Sequence, residues 1–391
     1  MANSLAIIIV LGLMGSKIFE KIKLPGLLGM IIVGVIIGPY GLDILSKDIL
    51  MISDDLRKIA LIVILLRAGL GLKKEDLKEV GRPAINLSFI PGLFEGFTII
   101  FLSMKLFNLS FIESGILGFI IAAVSPAVIV PSMLSLIDRG IGNKKKVPTL
   151  ILAGASIDDV FAITIFSIFL GIYGGSQLNI GKTILSIPLS IILGILIGVF
   201  LGILLVKIFD KFSINVSKKV LYVLSIGILL TTFESLVESK VKIAGLLGIM
   251  ALGFIINEKM PKIGSDLSDG FNKIWSFSKI LLFVLVGAQV NLPQAFDAGF
   301  KGAILIISGL IGRSIGVLIS LIGTNLNKKE KLFSVIAYTP KATVQAAIGG
   351  VPLSLGVKSD DLILSLAVLS IILTAPIGAI AIEKTGPKLL E

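Results

Sequence analysis

Asp158 and Asp159 stand side by side in an otherwise apolar stretch running from about 147 to 172. Paired carboxylates shielded from water can act as hard oxygen ligands for a small alkali cation, or as a loading point for protons. Neighbours on a helix point about 100° apart, so the two cannot share one role: one is expected to face a cationic partner and the other a cavity. The hydroxyls of Ser125, Ser156 and Thr339 are candidate further ligands. Three more ionisable residues lie deep in apolar stretches: Glu95, Arg313 and Lys341. Glu95 and Arg313 are expected to pair as a structural bridge. Lys341 is expected to balance the negative ends of interrupted helices or to pair with Asp158.

The elements that carry these residues follow from composition. The chain has 391 residues, of which 55% are hydrophobic and 16% charged, and its mean hydropathy is +1.03. That is too apolar for a surface facing water, so lipid is the solvent. The net charge of +11 sits in short Lys clusters between apolar runs, which membrane topology explains better than a nucleic-acid partner. Without cysteine there are no disulfides, thiolate metal sites or thiol nucleophiles, and without histidine any pH response rests on shifted carboxylates or lysines. No polar stretch leaves room for a soluble catalytic domain, and no cofactor is implied. The chain reads as one membrane domain over 1–391.

Roughly thirteen apolar stretches are long enough to cross about 30 Å of hydrocarbon. They run approximately 4–20, 24–39, 55–72, 83–104, 110–137, 147–172, 183–206, 219–235, 243–257, 271–290, 301–323, 332–352 and 361–382. The first has neither the basic n-region nor the small-residue site of a signal peptide and is read as a retained helix. Assigning loops alternately to two sides puts roughly 22 Lys and Arg on one side and roughly 9 on the other. Lys73, Lys74, Lys78, Arg82, Lys144 to Lys146, Lys207 to Lys219 and Lys328 to Lys331 belong to the richer side. The N-terminus is therefore expected outside, and the C-terminus in the cytoplasm.

The second stretch opens Gly26-Leu27-Leu28-Gly29 and reaches Gly34, and the ninth opens Gly245-Leu246-Leu247-Gly248 and reaches Gly253. Seven helices apart, the two must cross in opposite senses, which predicts inverted repeats of about 1–172 and 219–385 joined by a helix at about 183–206. The same offset relates the fifth stretch to the twelfth, which carry Ser125-Pro126 with Pro131, and Thr339-Pro340. Proline removes a backbone donor and clashes with the preceding turn, so breaks are expected at Pro126, Pro131 and Pro340. Freed carbonyls at that depth persist only where they line a cavity.

Lys17, Arg67 and Lys279 fall near cytoplasmic ends of their stretches, where a long side chain snorkels to the interface. Arg313 and Lys341 lie about 15 to 20 Å in, close to the midplane, and Glu95, Asp158 and Asp159 reach the same depth. Placing one ionised side chain there costs about 2.5 to 3.5 kcal/mol, so five at one level form a set.

Several segments together carry a family resemblance: Ala-Val-Ser-Pro-Ala-Val-Ile-Val-Pro-Ser-Met-Leu at 123–134, Ala-Ser-Ile-Asp-Asp-Val-Phe-Ala-Ile-Thr at 155–164, Leu-Leu-Arg-Ala-Gly-Leu-Gly-Leu at 65–72 and Pro-Lys-Ala-Thr-Val-Gln-Ala-Ala-Ile-Gly at 340–349. They resemble the cation:proton antiporter superfamily (CPA2), in particular its NHA-type sodium/proton branch, over essentially the whole chain. The resemblance implies an all-α polytopic membrane protein of the NhaA and NapA kind. Two crossed broken helices lie in a core domain that slides, elevator-like, against a dimerisation domain in a homodimer of the cell (inner) membrane. It implies Asp159 as the main ion-binding carboxylate and Asp158 as its partner, with Na⁺ or Li⁺ as the transported metal exchanged for H⁺. The paired aspartates imply electrogenic exchange. One departure is Arg313, where better-studied bacterial members carry a lysine. Arginine does not readily deprotonate, so a lysine-type proton carrier lacks its residue here.

Two other readings stand beside exchange of Na⁺ for protons. K⁺/H⁺ exchange, or a gated K⁺ path, fits the same scaffold, because cation choice depends on cavity size and rigidity. An intramembrane aspartyl protease also uses two buried carboxylates, but its aspartates come from separate elements and face each other, which adjacent residues cannot do.

Overall fold

The computed structural model describes residues 1–22, 26–72, 74–174, 180–237, 241, 243–290 and 299–390. Lys73 and residues 24 and 25 of the second expected stretch lie outside them. Among the described residues the regular structure is helical. Nine helical spans there, two of them interrupted, are long and apolar enough to cross a membrane. Four more of the expected stretches fall on shorter or more polar helices: Gly26–Ile37, Ser53–Gly71, Gly245–Lys259, and the pair Lys328–Ala337 and Thr343–Ile348.

The helices sort into two groups by what they pack against. The first holds α1 (Ala2–Lys21), α2 (Gly26–Ile37), α3 (Ser53–Gly71), α9 (Ile180–Lys211), α10 (Val216–Val237), α11 (Gly245–Lys259) and α12 (Pro261–Ala288). The second holds α4 (Lys74–Leu87), α5 (Ile90–Phe107), α6 (Phe111–Ala122), α7 (Pro126–Asp138), α8 (Val147–Tyr173), α13 (Gly299–Ser320), α14 (Lys328–Ala337), α15 (Thr343–Ile348) and α16 (Asp360–Leu389). The groups meet chiefly where α8 packs on α9 and α7 on α3. Arg67 of α3 also reaches across to Asp138 of α7 at 3.0 Å, so it is paired as well as near an interface.

The repeated glycines explain the packing of the first group. A Cβ on Gly34 of α2 would strike the backbone of α12 at Val284 and Ala288, and one on Gly253 of α11 would strike α3 at Leu66 and Leu70. Apolar side chains gain little by leaving lipid for one another, so helices there rely on close backbone approach, which glycine permits.

The fifth and twelfth stretches are both interrupted. The first stops after Ala122 and resumes at Pro126; the second stops after Ala337 and resumes at Thr343. Each first half opens with a capping box, Ser110 with Glu113 and Asn327 with Glu330. Each capping glutamate takes another donor from the segment before a long helix: Ser359 Oγ on Glu113 at 2.7 Å and Lys145 Nζ on Glu330 at 2.9 Å. Pro131 corrects one expectation, for it lies inside α7 rather than at a break. Only the i−4 bond to Ala127 is lost there, and the helix continues past it. The stretch expected at 83–104 is instead divided into α4 and α5, with Pro91 and Gly92 opening the second.

Candidate functional site

Four of the deep ionisable residues form one network. Arg313, within α13, sends Nε to Glu95 Oε2 at 2.5 Å and Nη2 to Asp158 Oδ2 at 3.1 Å. Lys341 Nζ reaches the same Glu95 oxygen at 2.6 Å. All four are at most 1% exposed. Two cations meet two anions, so the cluster is neutral as a unit, the condition under which buried charges are tolerated. The expected bridge between Glu95 and Arg313 is present. Of the two expectations for Lys341, the pairing with Asp158 is corrected: Lys341 is on Glu95, because the planar fork of Arg313 spans both carboxylates and already occupies Asp158. The Tyr338 ring centroid lies 5.7 Å from the Arg313 guanidinium carbon.

The interrupted helices cross beside this network. Ser125 N donates to Pro340 O at 2.9 Å, Ser125 Oγ and Thr343 Oγ1 are 3.3 Å apart, and Lys341 N donates to Thr374 Oγ1 at 2.9 Å. A helix leaves its last carbonyls without internal partners, and around the end of α6 other elements supply the donors. Arg313 Nη2 donates to Ala122 O. Gln345 Nε2 donates to Ile120 O at 3.0 Å, Ile121 O at 3.3 Å and Ala123 O at 2.8 Å. At the opening of α7, Val124 N donates to Asp158 Oδ2 at 2.9 Å. Asp158 thereby fastens the break to α8 and to Arg313.

Asp159 is placed differently. It is 6% exposed, and its Oδ1 has no hydrogen-bond partner. It lines a cavity of about 500 Å³ between the two helix groups, with Asp54 and Arg57 of α3, Thr164 of α8, Glu234 of α10 and Thr343 of α15 among the other walls. Arg57 pairs with Asp54 at the rim. A separate cavity of about 410 Å³, lined by Glu20, Ser132, Ser135, Arg139 and Glu383, contains neither aspartate. Asp159 is therefore open to one cavity and not to the other. An oxygen deprived of both water and donors is one that a proton or a cation can satisfy, and Thr164 and Thr343 offer neutral oxygens nearby.

Of the sequence candidates, Ser125 stands at the crossing, whereas Ser156 and Thr339 turn their hydroxyls back to Leu152 O and Ile336 O. Neither Ser156 nor Thr339 lines the Asp159 cavity. Gln345, Thr343 and Thr164 were not singled out, although Thr343 and Gln345 sit in the Pro340 segment. For Thr343 and Gln345 the available signal is a polar side chain within a turn or so of the Pro340 break, and for Thr164 it is a place about a turn beyond Asp159 on the same helix. Among the described residues no group of three or more acidic residues could hold a metal ion.

The fold and site define a multi-pass membrane protein with a buried carboxylate at a helix crossing, the class of ion-coupled transporters. The sequence profile described as sodium/hydrogen exchanger, transmembrane, matches residues 5–385. The chain is 34% identical over 401 residues to human sodium/hydrogen exchanger 9B2, covering 97% of this chain and 73% of that protein. The corresponding figures for mouse sodium/hydrogen exchanger 9B1 are 34% over 418 residues, 99% and 71%. The fold is similar to that of the sodium proton antiporter MjNhaP1 of Methanocaldococcus jannaschii at pH 8, with a TM-score of 0.81 at 21% identity, covering 99% of this chain and 98% of that one. The chain belongs to the sodium/hydrogen exchanger family and is a cation/proton antiporter.

Proposed function

We propose that the chain exchanges Na⁺ or Li⁺ for protons and that Asp159 holds the two in alternation. The observation that carries this reading is the contrast between neighbouring carboxylates. Asp158 is held by Arg313 and the Val124 amide, while Asp159 lines a cavity and keeps a buried oxygen without a hydrogen-bond partner. A cation and a proton that need the same oxygen exclude each other, which is the minimal chemistry of antiport.

One accessible carboxylate favours one proton per cation. Electrogenic exchange, suggested by the paired aspartates, needs a second proton site, and Asp158 could serve only by releasing Arg313. The matched breaks and glycine contacts support inverted repeats and thirteen spans. The separation into two helix groups, with Asp159 and both breaks in one of them, supports elevator movement of that group against the other in a homodimer. With the basic loops in the cytoplasm of an inner-membrane protein, the Asp159 cavity opens outward.

The test is a liposome assay with an internal pH dye and an imposed ΔpH, comparing Na⁺, Li⁺, K⁺ and choline. Dissipation by Na⁺ or Li⁺ in wild type and not in Asp159→Asn is expected. A response to K⁺ alone would move the assignment to K⁺/H⁺ exchange, and dependence on imposed voltage would favour the electrogenic reading. Silence with every cation would count against both. An aspartyl protease is disfavoured because Asp158 is committed to Arg313 and does not face Asp159 as a dyad.

A further inference from the structure

Gln345 is 1% exposed and stands one turn beyond Lys341, at the helix crossing. Its side-chain nitrogen sits among three backbone carbonyls, of Ile120, Ile121 and Ala123, at 2.8 to 3.3 Å. Carbonyls only accept, so the nitrogen must be the end that faces them; the opposite orientation would set oxygen against three oxygens. Two N–H groups are thus divided among three acceptors. The other end of the amide, Oε1, is buried and receives no donor. The side chain is therefore held by its nitrogen, at the expense of its own oxygen.

Converging carbonyls at the negative end of a half-helix are what replaces the hydration shell of a monovalent cation where proteins bind one through backbone. We propose that Gln345 is a specificity-determining residue: its amide nitrogen stands in for a cation in a backbone carbonyl cage and so confines ion binding to the carboxylate site. An empty cage would accept a cation without releasing a proton, because it contains no titratable group. The charges bound to this break are Arg313, on the intervening Ala122 carbonyl, and Asp158, on the Val124 amide; both stay with each other and with the break, and Lys341 stays on Glu95. A second, proton-independent cation site at the same helix crossing would uncouple the exchange described above. The inference rests on that exchange for its consequence only, since cage binding can be read without transport.

The experiment measures the melting temperature of purified full-length protein in choline, Na⁺, K⁺, Rb⁺ and NH₄⁺ chlorides at pH 6.5 and 8.5. Wild type, Gln345→Ala and Gln345→Lys are compared, each also in an Asp159→Asn background to remove the carboxylate site. Gln345→Ala is expected to melt lower than wild type in choline and to recover at least half of that deficit in one or more cations, equally at both pH values and with Asp159→Asn present. Gln345→Lys, which carries its own ammonium into the cage, is expected to show no such cation response. An equal deficit of Gln345→Ala in every salt, or failure to recover folded protein even when it is produced and purified in K⁺, would overturn the proposal and leave Gln345 as a structural tie. Cation rescue that persists in Gln345→Lys would also overturn it. Either failure leaves Asp159-dependent exchange untouched.

Discussion

Replacing Glu95 by Gln tests whether the buried charges act as one unit. Glu95 Oε2 is shared by Arg313 Nε at 2.5 Å and Lys341 Nζ at 2.6 Å, so the two cations lie within about 5 Å of each other. Neutralising the carboxylate changes the network from balanced to a net charge of plus one at membrane depth. At an effective dielectric constant near 20, two unit charges about 5 Å apart repel by about 3 kcal/mol. Breaking a buried pair from one side costs about 3 to 5 kcal/mol in general, so the two routes to the magnitude agree. The assay is the fraction of protein that remains monodisperse after heating in detergent, and Glu95→Gln is expected to melt well below wild type. Adding Lys341→Met removes the excess charge. The double variant is therefore expected to be more stable than Glu95→Gln alone, with a coupling of about 2 to 3 kcal/mol. Additive losses would refute the shared-anion account, because independent contacts show no coupling.

Asp158→Asn leaves Arg313 short of a counter-charge and is expected to lower the melting temperature along with activity, by about 3 to 5 kcal/mol in stability. Asp159→Asn removes a charge that has no ion pair among the described residues, so its melting temperature is expected to match or exceed wild type while exchange is lost. Gly253→Val places side-chain atoms against the Leu66 carbonyl and is expected to destabilise by about 1 to 3 kcal/mol or more, read by the same heating assay. For pH dependence, a proton and a cation competing for one carboxylate predict that the apparent KM for Na⁺ rises about tenfold per unit of falling pH on the acid limb. At higher pH, where Asp159 is ionised, KM is expected to level off. Initial rates in proteoliposomes across pH 5.5 to 9 check both limbs, and a slope near two would indicate a second titrating site.

How far the sequence carries the account depends on whether a signal is local. Helical regions, both interruptions and the depth of the five charges are local matters of hydropathy, proline placement and residue count. The Glu95 and Arg313 pairing was legible because matching positions in the two halves each carried one charge of opposite sign. The anchor of Lys341 was not, since Asp158 and Glu95 offered equal carboxylates at equal depth. Only the three-dimensional reach of Arg313 decides between them. Pro131 misled for a related reason: proline says that one hydrogen bond is missing, not whether the neighbouring turn can do without it. The roles of Gln345 and Thr343 depend on two distant helices crossing, so their neighbours in sequence say nothing of the carbonyls or cavity they meet. Ser156 and Thr339 had the right chemistry, but a hydroxyl in a helix or just past its end can bond back to the preceding turn of backbone.

The central claim, that Asp159 holds a cation or a proton but not both, is tested most directly by proton release on cation binding. Purified protein in weakly buffered detergent solution is titrated with NaCl against a choline control, while bound Na⁺ and released H⁺ are counted together. About one proton per Na⁺ is predicted for wild type, neither binding nor release for Asp159→Asn, and no release from choline. Na⁺ binding without proton release, or release that persists unchanged in Asp159→Asn, would contradict the account.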